Sequence, residues 1–308
     1  MPAARPVVTV VGSYAVGMTL RTDRIPVAGE TRHGSDFDLG PGGKGSNQAI
    51  QAARVGADVE LLTCVGRDRF GDDAFALYAR EGVGVTYARR GDRSTGVGFI
   101  ILDAAGQNVI VLDMGANQEL TPAHVEAARE RIAASGAVLT QLEVPLDVAL
   151  ATLRLAREAG VTTVFNPAPA RAIPATAFAD IDIVTPNQGE LRSLQGLPAD
   201  AEADDRELCR RLLAAGVSTV VLTRGEQGAL IVRPDGELAI PSHVVDVVDS
   251  TGAGDAFSGT LATSIASGMG LEAAVRRAAA AGALACTKLG VVPSLATADA
   301  IDALAATA

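Results

Sequence analysis

The sequence predicts an α/β protein with a doubly wound, mostly parallel central sheet, helices on both faces of that sheet, and a small β-sheet lid. First, short apolar segments alternate with helical segments through the second half of the chain. Second, several of these segments end in a polar residue, as strands do where an open α/β sheet binds ligands. Third, one segment of the first half mixes charged and apolar residues, which is typical of exposed strands.

Length and composition predict a single domain over residues 1–308, with the lid formed by about 15–40 and 95–112. No linker or low-complexity stretch divides the 308 residues. The net charge of −10, without a run of Lys or Arg, argues against binding to nucleic acid or an anionic membrane. No stretch approaches the roughly 20 apolar residues of a membrane span. Three separated cysteines (Cys64, Cys209 and Cys286) predict reduced thiols in a cytoplasmic protein.

The first half of the chain contains the predicted lid among elements of the core. The predicted elements are a strand at 7–12, lid strands within 19–39, a helix at 48–55, a strand at 59–65, a helix at 71–80, a strand pair at 96–102 and 108–112, and a helix at 121–134. The lid strands within 19–39 are expected to be antiparallel. Thr121 is the predicted N-cap of the last helix, with Pro122 at its first position.

The second half repeats a strand–helix unit. Strands are predicted at 137–142, 161–165, 181–184 and 219–222, and helices at 146–159, around Glu190, at 205–215, 256–267 and 271–286, and from about 297. Each strand is followed by a residue able to bind a ligand: Glu143, Asn166, Asn187 and Thr223. Because the carboxyl ends of parallel strands meet at one edge, these residues are expected to line one cleft.

The segment from Asp249 to Asp255 predicts an anion site. Gly252 and Gly254 lie at the start of a small-residue helix, where backbone N–H groups are unpaired and the helix dipole is positive. Asp255 falls in the first turn, beside that site. A carboxylate that accepts a proton next to N–H groups that hold negative charge suits phosphoryl transfer to a hydroxyl. The alternative interpretation is a glycine-rich N-cap with an ordinary first-turn aspartate.

A second glycine-rich segment runs from Gly40 to Asn47. Its glycines match the spacing G-x-G-x-x-G, but the polar stretch before it is not the apolar strand that a dinucleotide-binding fold requires. It is not a P-loop either, because Gly45 follows Lys44 where Ser or Thr is needed. The remaining interpretation is a glycine turn that presents Lys44 and Asn47 at a helix N-terminus, which suits a polyhydroxy ligand; a purely structural turn is the alternative.

The two glycine-rich segments carry a family pattern. Residues 42–49 (GGKGSNQA) and 249–255 (DSTGAGD) resemble the two signatures of the ribokinase family, the phosphofructokinase-B family of carbohydrate kinases. Between them, 166–170 (NPAPA), 185–187 (TPN) with Glu190, and 223–225 (TRG) with Gly228 also resemble ribokinases, in the same order. The resemblance extends from about Val7 to Ser294 and implies ATP-dependent phosphorylation of the primary hydroxyl of a sugar.

The resemblance also implies a role for individual residues. Asp255 would be the general base, and the N–H groups of Gly252, Ala253 and Gly254 the anion hole. The sugar would be held by Gly42, Gly43, Lys44, Asn47, Glu143 and Asp255. ATP would lie along Asn187, Thr223, Arg224, Gly225, Glu226, Gln227, Gly228 and Gly254. Asn187 and Glu190 would position Mg²⁺ through water. A monovalent cation, K⁺, would be bound by Asp249, Thr251, Ala285, Lys288, Gly290 and Ser294, mostly through carbonyl groups.

One departure from the family pattern concerns the acceptor. Ribokinases carry Asn and Asp shortly after the Gly-Ser of the first strand, and here those positions are Ala15 and Gly17. A site that loses a charged hydroxyl anchor loses on the order of 2–4 kcal/mol of binding, so ribose is not expected to be held in the usual way. Tyr14 or Met18 would instead contact a less hydroxylated or more apolar acceptor. Asp23 and His33 are candidate replacement contacts, with solvated lid residues as the alternative.

The sequence also supports hypotheses about alternative functions and about a homodimer. A nucleoside kinase of the same fold would use Val16 and Met18 to line a pocket for the base. A catalytically weak sensor that binds sugar or nucleotide is compatible with the missing anchors, whereas a nicotinamide-dependent oxidoreductase is disfavoured by the rejected dinucleotide motif. Exposed strands such as 31–39 have edges that pair readily, so a homodimer through the lid is predicted.

Overall fold

The computed structural model describes residues 4–307. In chain order the strands are β1 (Val7–Val11), β2 (Ala15–Arg21), β3 (Ser35–Gly42), β4 (Asp58–Leu62), β5 (Cys64–Val65), β6 (Arg89–Arg90), β7 (Gly96–Leu102), β8 (Asn108–Asp113), β9 (Ala137–Thr140), β10 (Thr162–Phe165), β11 (Ile183–Val184), β12 (Thr219–Thr223), β13 (Ala229–Arg233) and β14 (Gly236–Ile240).

The helices lie on both sides of the central sheet. In chain order they are α1 (Lys44–Arg54), α2 (Arg69–Glu81), α3 (Pro122–Ala127), α4 (Arg129–Ala133), α5 (Leu146–Glu158), α6 (Gln188–Ser193), α7 (Asp205–Ala214), α8 (Ala253–Ala266), α9 (Leu271–Ala285), α10 (Val291–Ser294) and α11 (Ala298–Ala305). Short 3₁₀ helices occupy Gly115–Glu119, Ala175–Asp180 and Gly225–Gln227.

The central sheet has eight strands in the order β14-β13-β12-β11-β10-β9-β1-β4. The six strands from β12 to β4 are parallel, so the prediction of a mostly parallel sheet is confirmed. The last two strands form an antiparallel hairpin on the β12 edge, which the sequence analysis did not assign. The carboxyl ends of the parallel strands therefore open on one edge, where the polar residues after each strand lie.

A hydrophobic core covers each face of the sheet. Alternate residues of β1 show the division, because Val10 belongs to one core and Val11 to the other. Helices α1, α2, α8, α9 and α11 pack on the Val10 side, whereas α3 to α7 pack on the Val11 side. Strands buried on both faces explain why these segments read as continuous apolar runs and not as alternating ones.

The lid is a separate four-stranded sheet in the order β3-β2-β7-β8. Its strands fall in the segments predicted for it, and the antiparallel pairing expected within 19–39 is confirmed by β2 and β3. Strands β7 and β8 are also antiparallel, whereas β2 and β7 pair in parallel, an arrangement for which the sequence analysis made no prediction. Asn117 holds the base of this sheet, because its amide donates to the carbonyl oxygen of Tyr14 at 2.7 Å and accepts from the Tyr14 N–H at 2.9 Å.

Several predicted boundaries shift for local reasons. The helix predicted at 121–134 is divided at Ala128 into α3 and α4, while the predicted N-cap Thr121 is confirmed. The valine-rich stretch 244–248 is irregular, and Val244 is 98 % exposed. The three cysteines are free. Within residues 4–307 there is no helix with the length and apolar character that crossing a bilayer requires.

The glycine turn before α1 is required by close packing. Gly43, the N-cap of α1, has φ 87°, and a Cβ there would lie 2.7 Å from backbone atoms of Tyr14 and Ala15. A Cβ at Gly45 would lie 2.4 Å from the backbone nitrogen of Ser13. Only glycine therefore lets α1 begin against the end of β1, and this contact presents Lys44 and Asn47 in the first turn, as predicted.

Candidate active site

Asp255 lies in the first turn of α8 and is nearly buried. Its exposed fraction is 5 %. Helix α8 begins after Gly252, which adopts the left-handed conformation with φ 85° and packs against the side chain of Val291. A larger residue at 252 would be strained in that conformation and would collide with Val291. The glycine thus fixes where the helix starts, and with it the direction in which Asp255 points.

Two amide side chains from α1 hold the Asp255 carboxylate. The Nδ2 atom of Asn47 donates to Oδ2 at 2.8 Å, and the Nε2 atom of Gln48 donates to Oδ1 at 2.9 Å. Two amide donors fix the orientation of the carboxylate. A carboxylate held in this way at a helix N-terminus can accept a proton from a substrate hydroxyl.

Gln48 links Asp255 to two neighbouring strands. Its Nε2 atom also donates to Oδ1 of Asn166 at 3.0 Å, and its Oε1 accepts from Nε2 of Gln141. Gln48 and Gln141 are fully buried. The sequence analysis did not identify either residue, although a glutamine on the buried face of a small-residue helix is a signal that could have found Gln48, since a buried amide needs partners.

Replacing Gln48 with Leu tests this link. The variant removes one donor to Asp255 and leaves polar atoms of Asn166 and Gln141 unpaired, which costs about 1–3 kcal/mol of stability for each such group. We expect kcat to fall by on the order of 10-fold with little change in the KM for ATP, because one donor fewer orients the carboxylate toward the acceptor hydroxyl.

The matched control is Gln51→Leu. Gln51 is a buried glutamine of the same helix, but its Nε2 atom donates to the carbonyl oxygen of Ala296, away from Asp255. We expect Gln51→Leu to lower the melting temperature without changing kcat. If Gln48→Leu and Gln51→Leu changed kcat equally, Gln48 would be a packing residue and not a positioning one.

Lys44 brings a positive charge to the same cleft. Burial alone would lower the pKa of Lys44, but the negative charges of Asp255, Glu143 and Glu190 outweigh it and raise that pKa. The ammonium group therefore stays charged at neutral pH. A fixed cation among carboxylates suits a site that must receive the phosphate charges of a nucleotide.

Glu143 caps the first turn of α1. Its Oε2 accepts from the N–H of Lys44 at 2.8 Å and from the hydroxyl of Ser13 at 2.5 Å. The predicted strand-end residue is thus brought beside Lys44, as the cleft hypothesis expects. Ser13, which follows β1, was not identified in the sequence analysis. Its hydroxyl donates to Glu143, and its backbone nitrogen leaves no room for a side chain at Gly45.

The start of α8 offers fewer free N–H groups than the resemblance implies. The N–H of Ala253 donates to the carbonyl oxygen of Ser250 at 3.2 Å, which closes a turn. In the described chain the N–H groups of Gly252 and Gly254 have no acceptor. Unpaired N–H groups at a helix N-terminus can bind an anionic oxygen.

The residues predicted to contact ATP and Mg²⁺ include a pair at the start of α6. Asn187 and Glu190 form a reciprocal cap at the start of α6, in which the Glu190 N–H donates to Oδ1 of Asn187 and the Asn187 N–H donates to Oε2 of Glu190, each at 2.8 Å. Burial raises the pKa of Glu190, and the charge of Lys44 opposes that shift.

A bridge between Asn187 and Thr223 joins this cap to the end of β12. The Thr223 hydroxyl donates to the carbonyl oxygen of Pro186 at 3.3 Å. The turn after β12 contains the 3₁₀ helix Gly225–Gln227, with Glu226 inside it, and closes when the Arg224 N–H donates to the Gly228 carbonyl oxygen at 2.8 Å. The structure thus brings the two predicted nucleotide segments together.

The residues predicted for a monovalent cation come from two segments that meet. The Asp249 carboxylate accepts from the N–H of Thr251 at 2.9 Å and from that of Gly290 at 3.4 Å. Ser294, in α10, donates its hydroxyl to the Val291 carbonyl oxygen. Ala285 ends α9, where carbonyl groups lack helical partners, and Lys288 lies between that end and α10. Carbonyl oxygens of this kind are suitable ligands for a hard cation.

The predicted replacement contacts in the lid are partly wrong. Tyr14 is 2 % exposed and packs edge-to-face on Tyr78, so its side chain belongs to the core. Val16 is also buried in that core, which removes the pocket for a base that Val16 and Met18 were predicted to line. Asp23 is paired with Arg32 at the surface. Sequence spacing did not show which strand face turns inward, and this is why these assignments failed.

The chain matches the family model described as "pfkB family carbohydrate kinase" over residues 6–298. Among curated proteins it is 34 % identical to a deoxyribokinase of Salmonella typhi, over 93 % of this chain and 94 % of that one. It is 38 % identical to a ribokinase of Mus musculus, over 83 % of this chain and 80 % of that one.

Solved structures agree with the sequence matches. The ribokinase of Arabidopsis thaliana complexed with ribose and ATP has a TM-score of 0.90 at 28 % identity, covering 98 % of this chain and 99 % of that one. The ribokinase of Thermotoga maritima has a TM-score of 0.88 at 31 % identity, covering 97 % and 99 %. Together with the buried carboxylate at a glycine-rich helix start, these matches confirm the prediction of a sugar kinase: the chain belongs to the pfkB family of carbohydrate kinases.

Proposed function

We propose that this sugar kinase uses Asp255 as its general base and transfers the γ-phosphoryl group of ATP to a primary hydroxyl. The observation that carries the proposal is the buried Asp255 carboxylate, oriented by Asn47 and Gln48, one residue from the free N–H group of Gly254. A proton acceptor and an anion-binding group are thus adjacent. Phosphoryl transfer depends mainly on such positioning and charge stabilisation.

The proposed reaction runs along the cleft. The acceptor lies between Lys44, Asn47 and Glu143, with its hydroxyl toward Asp255. As the hydroxyl oxygen forms a bond to the γ-phosphorus, its proton passes to the Asp255 carboxylate. The bond from the γ-phosphorus to the bridging oxygen breaks, and ADP leaves with that electron pair. The N–H groups of Gly252 and Gly254, together with the Lys44 ammonium group, stabilise the charge on the transferred phosphoryl oxygens.

The nucleotide is proposed to lie along Asn187, the end of β12 and the turn at 224–228, with Mg²⁺ near Glu190. The support for ATP is the convergence of these segments and the relatives solved with ATP, one of which also holds Mg²⁺. Oε2 of Glu190 accepts the Asn187 N–H, which leaves the other carboxylate oxygen available to an ion or its waters. Bound Mg²⁺ would neutralise phosphate charge during transfer.

A monovalent cation is proposed beside the start of α8. The support is that Asp249 ties the segment before α8 to Gly290, which brings the two predicted segments together. A relative at 23 % identity, phosphofructokinase-2 from Escherichia coli, has been solved with potassium; that likeness concerns the fold. A cation there would add positive charge behind the anion site.

The test is ADP release from MgATP, with and without K⁺, across a panel of pentoses, ketohexoses, polyols and nucleosides. We expect one sugar to give turnover far above the rate without acceptor, and K⁺ to raise that rate. ADP release that is independent of every acceptor, or ATP binding without turnover, would contradict the proposal and favour the sensor hypothesis.

A homodimer through the outer face of the lid is a further proposal. By strand alternation, one face carries large apolar side chains that are 41–63 % exposed: Leu20, Leu39, Phe99, Val109 and Val111. Exposed apolar surface of this kind is typical of protein interfaces. We expect a dimer by sedimentation at micromolar concentration and a monomer after Val111→Lys; a monomeric parent protein would refute the proposal.

A further inference from the structure

Helix α10 is too short to hold its own position. It has four residues, Val291–Ser294, and isolated helices shorter than about 12–15 residues are marginal in water. The carbonyl groups at a helix end lack helical partners. Here the carbonyl oxygens of Val292 and Leu295 both accept from Nη1 of Arg54, at 2.8 and 2.6 Å. The last residue of α1 therefore caps α10 and fixes it to the rest of the domain.

The Arg54 guanidinium group is itself held in one orientation. Its Nε and Nη2 atoms donate to the two carboxylate oxygens of Glu81, at 2.8 and 2.9 Å, which is the two-point geometry that arginine and a carboxylate favour. Glu81 is the last residue of α2, and both side chains are largely buried. The pair thus joins the ends of α1 and α2 to α10.

Helix α10 also contacts the start of α8. Cγ1 of Val291 lies 2.5 Å from the position of a Cβ on Gly252, so the Val291 side chain fills the space over that glycine. The segment before α8 is tied to the same region, because Asp249 accepts from the N–H of Gly290 and donates its own N–H to the carbonyl oxygen of Cys286. The turn that presents the N–H of Gly252 is therefore packed on α10 and on the loop before it.

We propose that Arg54 is a positioning residue for phosphoryl transfer. By holding α10 against Gly252, it keeps the start of α8, and with it Asp255, in place relative to the acceptor. Displacements of about 1 Å caused far from the reacting atoms can lower a rate by on the order of 10²-fold. The inference rests on the proposed function, in which Gly252 and Asp255 take part in the transfer. The alternative is that Arg54 and Glu81 form an ion pair that only stabilises the fold.

The experiment replaces Arg54 with Met, which keeps the apolar stem of the side chain and removes its donors. We expect kcat to fall by on the order of 10-fold, because α8 is held less firmly. The affinity of the ATP-free protein for the best acceptor of the panel, measured by calorimetry, is expected to stay unchanged, since the proposed acceptor residues Lys44, Asn47 and Glu143 lie on α1 and after β9. A loss of kcat without a loss of acceptor affinity is the result that positioning predicts.

The matched control is Arg131→Met, on the other face of the sheet. Arg131 donates to the carboxylate and to the carbonyl oxygen of Asp58, at 3.2 and 3.0 Å. Its side chain is 21 % exposed, against 22 % for Arg54, so the two variants remove similar anchors. We expect both variants to lower the melting temperature, and Arg54→Met alone to lower kcat.

A second variant leaves the ion pair intact. Val291→Ala keeps Arg54 and Glu81 in place and removes the methyl groups that pack on Gly252. Val291 is only half-buried, so a small loss of melting temperature is expected, together with a fall of kcat in the same direction as for Arg54→Met. This variant decides the inference if Arg54→Met, which leaves the Glu81 carboxylate without its partner, does not fold.

The inference is overturned if Arg54→Met and Arg131→Met have the same kcat well below their melting temperatures, or if Val291→Ala keeps the parent kcat. Either result leaves the proposed function standing, since the parent protein still phosphorylates its acceptor. If the parent protein releases no ADP with any acceptor, the proposed function fails, and hydrogen exchange of the N–H groups at 252–255 decides the inference instead. We expect faster exchange in Arg54→Met than in Arg131→Met, and equal exchange would refute it.

Discussion

Replacing Asp255 with Asn is expected to lower kcat by on the order of 10²–10⁴-fold, the range that a positioned general base supplies. The amide is nearly the same size as the carboxylate, but it cannot accept the hydroxyl proton. In the folded protein, one of the two donors on Asp255, from Asn47 or Gln48, would face an NH₂ group and lose its acceptor. Steady-state kinetics with the best acceptor of the panel measures the loss.

A matched control separates chemistry from folding. Asp147 is a first-turn aspartate of another helix, α5, where its Oδ1 accepts the N–H of Val148. Asp147→Asn is expected to keep normal kinetics. For Asp255→Asn we expect ATP binding to persist and stability to fall by about 1–3 kcal/mol, the cost of one unpaired buried donor. A near-normal kcat in Asp255→Asn would show that another group takes the proton.

Replacing Lys44 with Met is the second variant with a large expected effect. Three carboxylates, Asp255, Glu143 and Glu190, hold the Lys44 ammonium group in its charged form. Without it, those charges repel the incoming phosphates and no fixed cation stabilises the transferred group. We expect kcat/KM to fall by on the order of 10²–10³-fold, as for the loss of one donor to a developing anion. Lys44→Arg keeps the charge and is expected to recover part of the activity.

The pH profile gives an independent measure of Lys44. Burial raises the pKa of Glu190, and the Lys44 charge limits that rise. Removing the charge raises the pKa of Glu190 further, so Glu190 is protonated at a higher pH and loses affinity for a cation there. The acid limb of activity should therefore move to higher pH in Lys44→Met but not in Lys44→Arg. Identical profiles in the two variants would place Lys44 away from Glu190.

The raised pKa of Lys44 also affects the pH dependence of stability, on the basic side of neutral pH. Its folded-state pKa is raised, so its contribution to stability is fully present below the pKa of an unfolded-state lysine, about 10.4. That contribution is lost only as pH rises through the higher folded-state value. Between neutral pH and pH 9, Lys44 is therefore expected to cause no loss of activity or stability, and a basic limb in that range would come from another group.

Local sequence was sufficient where the chemistry depends on neighbours in the chain. The glycine turns before α1 and α8 place Lys44 and Asp255 in first helical turns, because glycine spacing and helix starts are properties of short segments. The parallel strands with polar ends followed from the alternation of apolar and helical segments. The same local patterns carried the family resemblance that the comparisons confirmed.

Long-range packing determined the contacts that the spacing of residues along the chain does not encode. Gln48, on α1, meets Asp255, Asn166 and Gln141, residues 207, 118 and 93 positions away, and no local pattern encodes that meeting. The parallel pairing of β2 and β7 could not be predicted from local sequence either, because the two strands are far apart in the chain.

The orientation of β2 shows most clearly what local sequence determines and what only long-range packing determines. Val16 and Gly17 are neighbours in β2, so alternation places them on opposite faces, yet the sequence does not say which face meets the core. Packing on Tyr78 settles it, since burying the large Tyr14 ring releases more water from apolar surface than burying a glycine. Residue types and local turns were therefore readable from the chain, whereas the face of β2 that meets the core was determined by which side chains the folded protein could bury.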